Sequence, residues 1–182
     1  MSKLIDAIDN LKKVLSHEGI DPINGLPLEL FEFNTGLLPF INVDLLVVNA
    51  NNQVLLSWRD DKHYGKGWQI PGGIIRMMET IEDRIQKTGT IELGHTVEHD
   101  NEPMVVYEHI VRNPRAGLDN QLERAHNIAL LYKCWLPGDY VINNHDKDEN
   151  EEGYLRWFDK FPENILECHK ILANYEKCKG WF

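Results

Sequence analysis

Leu4, Ile5, Ile8, Leu11 and Leu15 recur at three- and four-residue intervals, which predicts an amphipathic helix over residues 4 to 15, its apolar stripe turned to the domain or to a partner. A connector containing Pro and Gly runs on to Pro39, and an N-terminal helical extension, residues 1–26, is expected before the main domain, residues 27–182. From Phe40 the pattern changes. Phe40 to Val48 and Val54 to Trp58 are runs of strand length around Asn49 to Asn52, and asparagine tolerates turn conformations, so a hairpin is expected. A helix carrying acidic residues follows and ends at Gly94. Met104 to Val111 and Asn127 to Leu136 then read as strands around a polar loop, Tyr154 to Phe158 as a short strand, and Pro162 as the start of a last helix reaching about Lys177. The order strands, helix, strands, helix predicts an α/β (α+β) fold, a mixed β-sheet between helices.

At 182 residues and 42% hydrophobic content the chain has the size of one ordinary domain with a real core. Its net charge of −10 leaves no basic stripe to neutralise phosphates, which argues against a general nucleic-acid binder. Leu45 to Val48 is a typical longest apolar run, so neither a membrane span nor a signal peptide is expected. Cys134, Cys168 and Cys178 are odd in number and lack C-x-x-C spacing, which indicates neither a disulfide framework nor a zinc ribbon and fits a cytoplasmic protein.

The chemistry concentrates between Trp68 and Gly94. A turn at Pro71-Gly72-Gly73 can bring a backbone carbonyl close to an ion, because glycine adopts conformations a β-carbon forbids. The helix behind it presents one face at three- and four-residue intervals, and there Glu92 stands with Thr88 and Ile91 beside it. One hard cation, held by the Gly72 carbonyl, Glu92, other oxygens and water, fits that face. Glu79, Glu82 and Asp83 lie at the helix start, where negative charge complements the macrodipole.

This stretch resembles the Nudix box, G-x5-E-x7-R-E-U-x-E-E-x-G-U with U aliphatic. Gly73, Glu79, Glu92 and Gly94 fall in register and Lys87 stands where Arg is usual, while Thr88, Gly89 and Ile91 replace a glutamate, an aliphatic residue and a second glutamate. The resemblance implies a Nudix-like α/β/α sandwich. Across residues 27 to 160 it is similar to the GDP-mannose mannosyl hydrolase branch, which tolerates loss of those glutamates. Asp44 in N-V-D-L-L-V-V-N, Arg59 in L-L-S-W-R and His109 in V-V-Y-E-H match that branch's polar positions. Glu151, six residues before Trp157, matches its late metal ligand, and Glu152 stands where the branch has a histidine general base. His145, in the same loop, is the alternative base.

The resemblance implies Mg²⁺, with Mn²⁺ acceptable, held by Gly72, Glu92 and Glu151. Arg59 and His109 would contact the diphosphate, and Asp44 the substrate. It also implies a nucleotide-sugar substrate, GDP-mannose or GDP-glucose, attacked by water at the anomeric carbon, and a homodimer. Ordinary readings stand beside these. Arg59 would serve in a surface ion pair with Asp60 or Asp61, although its strand-end placement favours function; His109 would serve as a satisfied strand-end histidine, Asp44 equally as a buried structural carboxylate, and residues 145 to 152 as a solvated acidic loop from which only the offset to Trp157 singles out Glu151. Tyr64 or Trp68 could flank a nucleobase, although such aromatics are more often core. His95 and His99 have H-x3-H spacing but follow the Gly94 that ends the helix, which disfavours a zinc pair. Two further functions remain in view: a conventional pyrophosphatase attacking phosphorus, and a nucleotide-sugar binding module without catalysis.

Overall fold

The computed structural model describes residues 2–61, 65–110 and 126–182. Its central strand is β1 (Phe40–Val47), whose residues alternate between two cores. Val43, Leu45 and Val47 pack with Leu55, Ile85, Tyr132 and Cys134, while Leu46 packs on the opposite face with Leu56, Trp58, Trp68 and Tyr107. A strand covered on both faces reads as a continuous apolar run, and Asp44, 2% exposed, interrupts it on the Leu46 face.

Both edges of β1 are paired. β7 (His126–Trp135) runs parallel to it on one side and β4 (Gly72–Ile74) antiparallel on the other, which puts Asp44 between Leu131 and Gly72. β5 (Glu98–His99) and β6 (Val105–Ile110) pair antiparallel along the far edge of β7. A second sheet places β2 (Val54–Asp61) between β3 (Gly65–Gln69) and β8 (Leu155–Phe158). The expected hairpin therefore does not form. The turn does: Asn49 Oδ1 accepts the Asn51 and Gln53 N–H groups and Asn52 takes φ 61°. With β7 and β4 on its two edges β1 has no room for β2, and beyond a single Val48–Val54 bridge the turn hands the chain to the other sheet.

α1 (Lys3–His17) forms as its stripe predicts, capped by Ser2, and buries none of its residues in the single chain. α2 (Leu28–Leu37) lies where a connector was expected. Its apolar residues point all round, with Leu28 and Phe33 exposed, so no stripe announces it. α3 (Ile81–Thr88) starts at a Thr80/Asp83 capping box. It continues as a wide π-turn over Gly89–Leu93 and stops at Gly94, left-handed at φ 72°.

The last helix begins later than expected and is broken. Residues 164–166 run beside β3 instead, the Trp68 N–H donating to Asn164 O and the Leu166 N–H to Trp68 O, and those backbone groups are lost to a helix. α4 is only Glu167–Lys170, followed by 3₁₀ turns over Ile171–Asn174 and Glu176–Trp181. Leu172, Cys178 and Trp181 seal the Leu46 face of the core.

Candidate active site

Two glycines allow β4 to approach β1 and α3 at once. A β-carbon at Gly72 would stand 2.2 Å from Asp44 Oδ1, and one at Gly73 would stand 2.7 Å from Thr88 Oγ1. Leu45 N–H bonds Pro71 O and Ile75 N–H bonds Ile41 O, and in that alternation Gly72, opposite Asp44, turns both its N–H and its C=O away from β1. They face the Glu92 carboxylate instead, close enough for the Gly72 N–H to lower the Glu92 pKa, so the Gly72 carbonyl lies on the side where Glu92 lies.

Glu92 is held at the end of the π-turn with its Oε2 enclosed and without a hydrogen-bond partner among the described residues. Burial pushes its pKa up to about 7, against the lowering effect of Arg59 and the Gly72 N–H and with the help of the Asp44 and Glu152 charges. Arg59, on β2, reaches Glu152 Oε1 with Nη1 at 2.8 Å, while its Nε–H is enclosed with no partner among the described residues. An enclosed acceptor and an enclosed donor side by side suit a cation and an anionic ligand bound together.

The acidic loop contributes through one of its two neighbouring glutamates. Glu152 turns to Arg59 with its side chain 60% exposed, whereas Glu151 accepts the Asp148 N–H at 3.2 Å and closes its own turn. His145, left-handed at φ 50°, borders a depression of about 440 Å³ together with Glu92, Lys147 and Gly153. His109, on β6 opposite Asn127, is partly buried; burial lowers its pKa and nearby Glu167 raises it.

Asp44 floors a cavity of about 210 Å³ lined also by Asn42, Arg59, Gly72, Tyr107 and His169. Its Oδ1 accepts from Asn42 Nδ2 and its Oδ2 from the Tyr107 hydroxyl, each at 2.5 Å. Burial raises the Asp44 pKa to about 7 against the pull of Tyr107 and Asn42. Asn42 and Tyr107 were not singled out in the sequence, although each sits two residues from a candidate on the same strand face: Asn42 from Asp44, Tyr107 from His109. No pattern points to His169.

Several candidates fall elsewhere. Trp68 is 4% exposed, with Trp58 and Phe158 rings edge-on at 5.3 and 4.7 Å, so it is core and offers no open face to a base. Tyr64 lies outside the described residues. Ile91 is 75% exposed. Glu79 is a structural hub, accepting from Arg84 at 2.6 Å, Lys87 at 2.9 Å and the Arg76 N–H. His99 bonds Glu82 and His95 the Thr96 carbonyl, so the H-x3-H pair shares no site. Among the described residues no group of three His, Cys, Asp or Glu side chains forms a metal cage. Mg²⁺ does not demand one, since it takes one or two carboxylates and completes its shell with water and substrate oxygens. Gly72 C=O and Glu92 are hard oxygen donors of that kind.

A mixed sheet joined to a second sheet, with a double-glycine strand feeding an acidic helix, defines a Nudix fold. Residues 38–160 match the NUDIX domain model, and the chain belongs to the Nudix hydrolase family. A crystal structure of a MutT NUDIX hydrolase from Burkholderia pseudomallei superposes with TM-score 0.53 at 19% identity, covering 76% of this chain and 98% of that one. A NUDIX hydrolase from Nitrosomonas europaea covers 66% of this chain and 72% of its own at TM-score 0.48 and 13% identity. The low-salt glycan biosynthesis protein Agl8 of Haloferax volcanii is 26% identical over 119 residues, 65% of this chain and 72% of that protein. Among the described residues no helix is long and apolar enough to cross a membrane.

Proposed function

We propose that this Nudix hydrolase cleaves a nucleoside diphosphate sugar, GDP-mannose or GDP-glucose, between the anomeric carbon and the diphosphate, with a Mg²⁺ requirement that Mn²⁺ also meets. The observation that carries the reading is the enclosed, unpartnered Glu92 Oε2 beside Arg59, on a helix whose positions 88 and 91 carry no carboxylate. A face with one such carboxylate suits one ion. The similarity to Agl8, a low-salt glycan biosynthesis protein, supports a sugar-bearing substrate.

The Gly72 carbonyl and Glu92 would hold the ion, with Glu151 as the proposed third ligand. Bound there, magnesium would neutralise and orient the leaving diphosphate. Arg59 would add a charge-assisted hydrogen bond to the diphosphate through its enclosed Nε–H, with His109 as the second donor. Asp44 would accept a hydroxyl of the sugar. Glu152 would take the proton from water as the water oxygen bonds to the anomeric carbon and the C–O electron pair leaves with the nucleoside diphosphate; His145 is the alternative base. A carboxylate suits this role in displacement with inversion. The same reading has a cytoplasmic homodimer: the three cysteines are free and buried, and the apolar stripe of α1 is exposed.

Incubating the protein with a panel of nucleotide sugars, with and without Mg²⁺, tests this. Free hexose and nucleoside diphosphate are expected. Nucleoside monophosphate and sugar 1-phosphate would instead mean attack on phosphorus, and tight binding without turnover a binding module.

A further inference from the structure

The hydrogen-bonded chain beneath the Asp44 cavity has a direction, and the C-terminal segment sets it. The Ile70 N–H donates to His169 Nε2 at 3.3 Å, so that nitrogen carries no proton. The ring is buried and neutral, its pKa pushed down to about 3 by burial and by nearby His109, and its single proton is therefore on Nδ1. Nδ1–H then donates to the Tyr107 oxygen at 3.3 Å, and the phenol O–H is left to donate to Asp44 Oδ2 at 2.5 Å. The reverse order is closed, because a neutral imidazole cannot accept at both nitrogens. Asn42 supplies the donor to Oδ1. The chain thus ends on an acceptor.

We infer that His169 is a positioning residue that, through Tyr107, fixes Asp44 as the hydrogen-bond acceptor for a hydroxyl of the substrate's sugar. His169 lies outside the family-matched residues 38–160 and is held in place by the rung that Trp68 makes with Asn164 and Leu166, so a segment beyond the shared domain completes the sugar site. His169 and Cys168 both line the cavity. The inference rests on the nucleotide-sugar reading.

Three variants of the full chain separate the links. His169→Asn keeps an amide near Nδ1, in reach of Tyr107; His169→Gln keeps one near Nε2, in reach of Ile70; His169→Phe keeps neither. With GDP-mannose and GDP-glucose as probes, His169→Phe and His169→Gln should raise KM at least about tenfold with a smaller change in kcat, while His169→Asn stays within about threefold of the parent. Affinity for GDP, which lacks the sugar, should stay within about twofold in all three. Should the Phe variant not fold, the Asn and Gln pair makes the same comparison. Nitrogen-15 spectra of the ligand-free protein near neutral pH should show His169 as the neutral Nδ1–H tautomer. An Nε2–H or charged ring, equal KM for Asn and Gln variants, or a parallel loss of GDP binding would overturn the inference alone. A parent protein that binds no nucleotide sugar would overturn the proposed function, and with it the sugar as the partner of Asp44.

Discussion

Replacing Glu92 by Gln removes one ionisable group from an enclosed position and keeps its shape. Without metal, the folded protein keeps the Glu92 proton up to about pH 7, whereas the unfolded chain sheds it near its ordinary value of 4.5. The folded state binds more protons across that window, so stability falls as pH rises through it. At about 1.36 kcal/mol per pH unit, the rise from 4.5 to about 7 corresponds to roughly 3 kcal/mol, a large share of the stability of a domain. Asp44, also raised to about 7, adds a slope of the same sign, so the difference between parent and variant is the quantity to read. In urea titrations with EDTA, the two proteins should be equally stable below the window, and the variant more stable by roughly 3 kcal/mol above it. Adding Mg²⁺ should stabilise the parent and leave the variant unmoved. A variant less stable than the parent at high pH in EDTA, or an equal response of both to Mg²⁺, would refute the argument that Glu92 is a buried charge in need of a cation.

The loop carboxylates separate by assay: Glu152→Gln should abolish most turnover with Mg²⁺ affinity retained, His145→Gln should do less, and loss of Mg²⁺ binding in Glu152→Gln but not in Glu151→Gln would exchange the roles of the two glutamates. Glu79→Ala leaves the Arg84 guanidinium buried without its partner and should destabilise by about 3–5 kcal/mol in denaturant melts, whereas Glu82→Gln, on the exposed side of α3, should stay within about 0.5 kcal/mol. Gly72→Ala drives a methyl group to 2.2 Å from Asp44 Oδ1, so melting should show a loss of about 1–3 kcal/mol and turnover should fall with it. Parent-like turnover in Gly72→Ala would show that β4 can retreat from Asp44 without harm.

Positions set by local periodicity were legible. The apolar run of β1 fixed where Asp44 would be buried, and the Gly72-Gly73 strand before α3 fixed the meeting of Glu92 with the Gly72 backbone. Four features escaped, two of them because they depend on partners distant in sequence. The hairpin failed when β4 and β7 claimed both edges of β1. The helical reckoning that aligned Thr88, Ile91 and Glu92 assumed 3.6 residues per turn, and the π-turn over Gly89–Leu93 widens that spacing, leaving Ile91 in solvent. Counting six residues back from Trp157 reached the loop that meets Arg59, within which the structure turns Glu151 to its own Asp148 N–H and Glu152 to Arg59. His169 had no local signature at all, since its role is visible only once Ile70 and Tyr107 are beside it.

The sealing of one core face by Leu172, Cys178 and Trp181 bears on how this molecule can be cut. A fragment trimmed to the family boundaries at 38 and 160 would keep every strand and all of α3, yet expose Leu56, Trp58 and Trp68 along an uncovered hydrophobic wall. Such a wall promotes self-association. Expression of the minimal domain should therefore yield aggregates, and tags are better attached at the α1 end, where no side chain is committed to the interior.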